Sequence, residues 1–169
     1  YVAAKNKPII LSTGMNDMNS ISKTVQIIKS HNTPLILLHC TSMYPTPYDK
    51  VRLGAINDLQ DNFPDIPVGF SDHSLGIAAS LGSIALGSCI IEKHFTISRS
   101  WPGPDTGISI EPSELKSLID HSKQIWESRG GSKNILEEEK PVIDFAYASV
   151  VSIKSIKKGE KFSLFNIWV

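Results

Sequence analysis

The sequence predicts an α/β fold assembled from parallel βα units, and three observations carry that expectation. A short apolar stretch, a polar cluster and a segment of helical periodicity follow one another four times. None of the apolar stretches alternates cleanly with polar residues, the pattern of parallel strands buried on both faces. Each stretch ends in polar side chains.

The strands are expected at 8–12, 34–39, 67–71 and 88–92. After the first comes a helix over 20–30, in which Ile21, Val25 and Ile28 form one face and Ser20 is the expected N-cap. The second strand leads into a Pro-rich loop, Tyr44-Pro45-Thr46-Pro47-Tyr48, and a shorter helix over 53–63. The third precedes a helix over 75–86 whose small residues Gly76, Ala78, Ala79, Gly82 and Ala85 permit close packing. The fourth is followed by the loop Trp101-Pro102-Gly103-Pro104. Pro112 then opens a helix flanked by Glu111 and Glu114 that runs to about Ser128, and Gly130-Gly131 ends it. Residues 130–145 read as a linker, and from Ala146 the sequence becomes β-rich with a tight turn, the start of a second module.

Composition excludes several classes of function. The 169 residues carry no net charge and no basic cluster, so nucleic acid is not an expected partner. The apolar runs fall far short of the roughly 20 residues of a membrane helix. The start, Tyr1-Val-Ala-Ala-Lys5, has neither Met nor the apolar core of a signal peptide and reads as an internal start. Cys40 and Cys89 lie in apolar runs and are expected to be reduced, structural thiols of a cytoplasmic protein; no Cys-x-x-Cys pattern marks Cys40 as a nucleophile.

The strand ends hold the candidate chemistry: Ser12-Thr13, His39-Cys40-Thr41-Ser42, Ser71-Asp72-His73 and Glu92-Lys93-His94. In a closed barrel these ends converge on one mouth, whereas an open sheet gathers its site at a switch point; spacing alone leaves both arrangements open. His73 and His94 end strands that would run about 4.8 Å apart, so their imidazoles are candidates to share one divalent ion, with Asp72 and Glu92 either orienting them from behind or serving as simple barrel-interior polar groups. Two separately hydrogen-bonded histidines would leave the same pattern. Ser12, Thr13, Thr41, Ser42 and Ser71 are candidate hydroxyls for a phosphate, or ordinary loop caps. His31, His39 and His121 are expected to be solvated or core histidines.

Four blocks together resemble the sialic acid synthase family: Pro8-Ile-Ile-Leu-Ser-Thr-Gly-Met15, Leu38-His-Cys-Thr-Ser-Met-Tyr-Pro-Thr-Pro47, Gly69-Phe-Ser-Asp-His-Ser74 and Ile91-Glu-Lys-His-Phe-Thr96. Arg52-Leu-Gly and Trp101-Pro-Gly-Pro-Asp105 add to the resemblance in the same order. It implies a (β/α)₈ TIM barrel, of which residues 1–129 are the last four βα units, followed from 146 to 169 by the beginning of an antifreeze-like domain. It further implies a phosphoenolpyruvate-dependent synthase, homodimeric in its full-length parent, that condenses phosphoenolpyruvate with N-acetylmannosamine and water to give N-acetylneuraminate and phosphate. His73 and His94 match metal ligands, the metal being manganese, with magnesium or cobalt as alternatives. Ser12 and Ser71 match hydroxyls near the phosphate. Tyr44 and Asp105 match residues facing the acceptor sugar and are the candidate catalytic residues; capping the Gly103-Pro104 turn is the other role open to Asp105. Ser42 stands in the substrate region where some members carry an amide. A pseudaminic or legionaminic acid synthase of the same family, and a non-catalytic half-barrel, are the alternative readings. The resemblance also implies that this segment alone lacks part of the active site.

Overall fold

A computed structural model describes residues 1–169. Four strands, β1 (Ile9–Ser12), β2 (Leu35–Cys40), β3 (Val68–Asp72) and β4 (Ile91–Lys93), pair in chain order, all parallel. Between and after them run α1 (Met18–Lys29), the single turn α2 (Tyr48–Val51), α3 (Gly54–Asn62), α4 (Ala78–Ala85) and α5 (Pro112–Ser128). Ile21, Val25 and Ile28 of α1, Ile56 and Leu59 of α3 and Ala79 of α4 join Leu35, Leu37, Val68 and Phe70 in one core. α1, α3 and α4 therefore cover one face of the sheet. Sequential strands with helices on a single face are the arrangement of half a (β/α)₈ barrel; a doubly wound sheet has helices on both faces.

The strands form where expected, to within a residue, except that β4 begins at Ile91 rather than Ser88. Cys89, ahead of it, is exposed rather than a buried apolar filler, while Cys40 is buried. α1 starts earlier than its periodicity suggests because Asp17, in extended conformation, accepts the Ser20 N–H at 2.8 Å. Ser20 is thus inside the helix, not its cap. α4 starts at Ala78 because residues 74–77 form a loop with Gly76 at φ +63. At α5 Pro112 occupies the first turn, and the Glu114 carboxylate accepts the Glu111 N–H at 2.9 Å.

Residues Tyr1–Gly130 form one compact unit and Gly131–Val169 another. The second contains a helix, α6 (Lys140–Ala146), partly within the stretch read as a linker, and an antiparallel pair, β5 (Val151–Ser152) and β6 (Ile167–Trp168). Its buried Asn166 accepts the Ser163 N–H and donates to Glu160 and the Lys161 carbonyl. No helix of the chain is long and apolar enough to cross a membrane.

Gly69 is the tightest point of the sheet. A Cβ there would lie 2.5 Å from the Ile90 carbonyl oxygen and 2.6 Å from Leu38 Cδ2, and the first of these is backbone that cannot swing aside. Gly69→Ala should therefore destabilise the protein by about 1–3 kcal/mol through overpacking, read as a lowered denaturant midpoint; an unchanged midpoint would show that β4 yields freely.

Candidate active site at the strand ends

Alternation along the strands sorts their side chains. Leu35, Leu37, Val68 and Phe70 enter the helix-facing core, so Leu38, Cys40, Gly69 and Ser71 occupy the opposite, barrel-interior face. The same alternation brings Ser12 and Glu92 to that face at the ends of β1 and β4, and His73 and His94 one step further toward the mouth. Ile10, also on this face, is 54% exposed.

At the mouth the His73 and His94 rings lie 5.3 Å apart, centre to centre, nearly perpendicular at 69°. His73 Nδ1 is 3.0 Å from the Thr41 carbonyl oxygen. A carbonyl only accepts, so Nδ1 bears the proton and Nε2 keeps its lone pair. Nε2 makes no hydrogen bond and is not sealed from solvent. Behind Nδ1, the Cys40 thiol makes a weak contact at 3.8 Å.

The loop after β2 covers this pair. The Thr46 N–H donates to the His73 carbonyl at 2.9 Å, and the Thr46 hydroxyl bonds the Met43 and Thr41 carbonyls at 2.8 and 3.1 Å. Tyr48 Oη donates to the Leu75 carbonyl at 3.0 Å. Just ahead of these anchors, before the cis peptide to Pro45, the Tyr44 ring lies 4.2 Å from the His73 ring and 5.9 Å from that of His94.

The loop after β4 is held as firmly. The Ile110 N–H donates to the His94 carbonyl at 2.9 Å, and Thr96 donates to the Ile110 carbonyl. The Arg99 guanidinium reaches Glu114 at 2.6 Å, and its backbone N–H donates to Glu111 at 2.8 Å. Asp105 then stands with Oδ2 3.8 Å from His94 Nδ1. Its side chain caps nothing: the Gly103 carbonyl is taken by the Thr106 hydroxyl, and Asp105 makes no side-chain bond to the turn over Thr106–Ile108.

The structure thus brings together His73, His94, Tyr44 and Asp105. Ser42 lies against Gly14, where a Cβ would strike its hydroxyl, so the loops after β1 and β2 touch. Ser12 ends β1 exposed, with a free hydroxyl, whereas Ser71 is buried and donates to Glu92 at 2.7 Å. Thr13 and Thr41 bond the Leu38 and Lys50 carbonyls and act as loop fasteners.

Asp72 and Glu92 do not orient the imidazoles. Alternation turns Asp72 to the helix side, where it meets Ser74, Ser80 and Lys93, and Glu92 is taken by Ser71. The partner of His73 is instead a main-chain carbonyl, for which sequence has no signal. Lys93 is given no role by the sequence alone; its signal is a second charge beside Glu92, directly before a histidine. No three or more His, Cys, Asp or Glu side chains group as a closed metal site. Two neutral imidazoles with open positions are the donor set of an ion that also takes substrate oxygen.

His31 and His121 are exposed, and His39 is buried with Nε2 2.7 Å from the Val51 carbonyl. Burial outweighs that hydrogen bond and holds the His39 pKa below 6.5. As pH falls below 6.5, the unfolded chain takes up a proton that folded His39 refuses. Its contribution is therefore complete above that pH and is lost on acidification toward the lower folded pKa. An NMR titration should show His39 ionising below 6.5, and His39→Gln should flatten the pH dependence of stability between pH 5 and 7; an ordinary titration near 6.5 would contradict the burial argument.

A family model described as the NeuB family matches residues 1–134. The chain is 42% identical over 170 residues to the N,N'-diacetyllegionaminic acid synthase of Campylobacter jejuni, covering 98% of this chain and 51% of that protein. It is 36% identical over 167 residues to the pseudaminic acid synthase of the same species, covering 98% and 48%. Among solved structures it superposes with a TM-score of 0.78 and 37% identity on the N-acetylneuraminic acid (sialic acid) synthetase of Leptospira borgpetersenii in complex with citrate, covering 85% of this chain and 50% of that one. The chain spans about half the length of the curated relatives it matches.

Proposed function

We propose a function from one premise: the chain belongs to the NeuB family, whose members here are synthases of sialic, legionaminic and pseudaminic acids. In our reading the whole protein is an N-acetylneuraminate synthase of carbohydrate biosynthesis, cytoplasmic and homodimeric, and this segment supplies half of its barrel and the start of an antifreeze-like domain over 146–169. The observation that carries the reading is the quartet of His73, His94, Tyr44 and Asp105 at one mouth, in a chain of this family.

The reaction joins C3 of phosphoenolpyruvate to the aldehyde carbon of open-chain N-acetylmannosamine. Water adds at C2, phosphate leaves, and the sugar oxygen takes a proton. The residues fit a divalent ion. Two imidazoles that share an ion through bonds of about 2.1 Å hold their ring centres roughly 5 Å apart, and here the separation is 5.3 Å with the His73 Nε2 lone pair free. Manganese or a similar ion held by His73 and His94 would supply Lewis-acid polarisation of the aldehyde oxygen. Thr41 keeps His73 in the tautomer that can donate that lone pair. Tyr44 shields the imidazoles from bulk water, and the Asp105 carboxylate, free of any capping duty, takes sugar hydroxyls and fixes the attacked face. Ser12 offers a free hydroxyl to the phosphate end, Ser71 one shared with Glu92, and Ser42 a third beside Gly14.

A second acceptor has a specific observation in its favour, the 42% identity to the legionaminic acid synthase. Assays of the full-length protein with phosphoenolpyruvate and either N-acetylmannosamine or the diacetylated legionaminic precursor decide between them. Phosphate release with neither of these, nor with the pseudaminic acid precursor, would overturn the synthase reading.

His73→Ala and His94→Ala in the full-length protein should each abolish metal-dependent turnover, with melting temperature little changed, because one remaining imidazole holds an ion weakly. Turnover surviving chelation in either variant contradicts the assignment. Asp105→Asn keeps size and removes charge, so it should lose one charge-assisted hydrogen bond of about 1.5–3 kcal/mol, or roughly 10- to 150-fold in kcat/KM for the sugar. KM for phosphoenolpyruvate and the melting temperature should hold. Equal damage to both substrates with a lowered melting point would assign Asp105 to loop structure instead.

A further inference from the structure

Directly behind the two mouth histidines lies a buried polar cluster that the proposed reaction does not use. Asp72 and Lys93 are register partners across β3 and β4, and each immediately precedes one of the histidines. Their side chains are 0% and 4% exposed, with Lys93 Nζ 3.0 Å from Asp72 Oδ2. The carboxylate also accepts the Ser74 N–H and hydroxyl, both at 2.7 Å, and the Ser80 hydroxyl at 2.6 Å. Lys93 donates in addition to the Ser74 carbonyl. One carboxylate thus ties together the end of β3, the loop after it, the first turns of α4, and β4.

A buried ion pair is a weak source of stability, because desolvating two charges offsets their attraction, and a well-packed apolar pair of similar volume would serve the fold as well. Directional hold is what an apolar pair lacks. β4 is three residues long, and its last rung is the Asp72–Lys93 pair itself. Ser74, the residue after His73, is gripped at its N–H, its hydroxyl and its carbonyl. No substrate can reach these groups, so they act through their neighbours.

We propose that the buried Asp72–Lys93 pair, with Ser74 and Ser80, is the positioning device that sets the His73 and His94 imidazoles in register at the mouth. The proposal rests on the reading of those imidazoles as an ion-binding pair, but it makes a claim about ring orientation that holds without any ion.

The test uses the full-length protein and the charge-free, near-isosteric double variant Asp72→Asn/Lys93→Met. Lys93→Met alone leaves a buried carboxylate unpaired and should lower the melting temperature, which is why the double variant is the informative one. Three measurements are made: melting temperature, the imidazole tautomers of metal-free protein by ¹H–¹⁵N NMR, and manganese affinity by electron paramagnetic resonance titration. The double variant should melt close to the parent protein. His73, a single Nδ1–H tautomer in the parent, should become a mixture, and manganese affinity should fall roughly tenfold, the low end of what losing a supporting partner of a metal-bound histidine costs. A folded double variant that keeps the single tautomer, or keeps affinity within about twofold, overturns the proposal. If the parent protein binds no manganese, the ion-binding reading falls and the tautomer result alone decides this inference. Should the double variant fail to fold, Ser80→Ala, which removes one donor to Asp72, is measured in the same way; a smaller shift in the same direction supports the device, and unchanged tautomer and affinity overturn it.

Discussion

Successive side chains leave a β-strand on opposite faces, and in this half-barrel that alternation assigns each residue at the ends of β3 and β4 to one of two environments. Asp72 and Lys93 turn toward the helices and find each other; Ser71 and Glu92 turn inward and do the same; His73 and His94 turn inward one step beyond. A slip of one residue in either strand would exchange these sets, sending an imidazole into the core and a charge into the mouth. Gly69 enforces the register from below, since its missing side chain is what lets β3 approach Ile90 and Leu38 so closely.

What alternation cannot do is hold loops, and the chemistry at the mouth depends on two of them. Each is fastened to the backbone of a histidine: Thr46 to the His73 carbonyl, Ile110 to the His94 carbonyl. Tyr44 and Asp105 are carried on loops, but the loops are bonded to the very residues they serve, so their distances from the imidazoles are set by short chains of hydrogen bonds. Arg99 adds a charged brace from the second loop to the start of α5, where Glu111 and Glu114 also complement the positive helix end.

Much of this was legible in the sequence, for identifiable reasons. Buried parallel strands announce themselves as apolar runs, so β1 to β3 could be bounded closely, and the polar residues at the strand ends include His73 and His94, whereas Tyr44 and Asp105 are named only through the family resemblance. The helix-side location of Asp72 was not read because a charge at a strand end was taken for part of the mouth; alternation counted from Phe70, a core residue, would have turned it the other way. The acceptor that orients His73 was invisible, because a main-chain carbonyl is the same in every residue. The start of α1 was misjudged for a related reason: Asp17 and Ser20 both cap well in isolation, and only backbone conformation separates the residue that caps from the one that is capped.

The orientation of His73 by a carbonyl rather than a carboxylate has a chemical consequence. A carboxylate on Nδ1 would pull the ring toward imidazolium character and stabilise its protonated form, whereas a neutral carbonyl fixes the tautomer without adding negative charge beneath the ring. Asp105 places a carboxylate beside His94 at 3.8 Å, beyond ordinary hydrogen-bond length. The buried charges, Asp72 and Lys93, cancel each other on the far side of the sheet. The mouth is therefore left with two imidazoles facing inward, the Glu92 carboxylate held by Ser71 on the same face, and the Asp105 carboxylate at the rim.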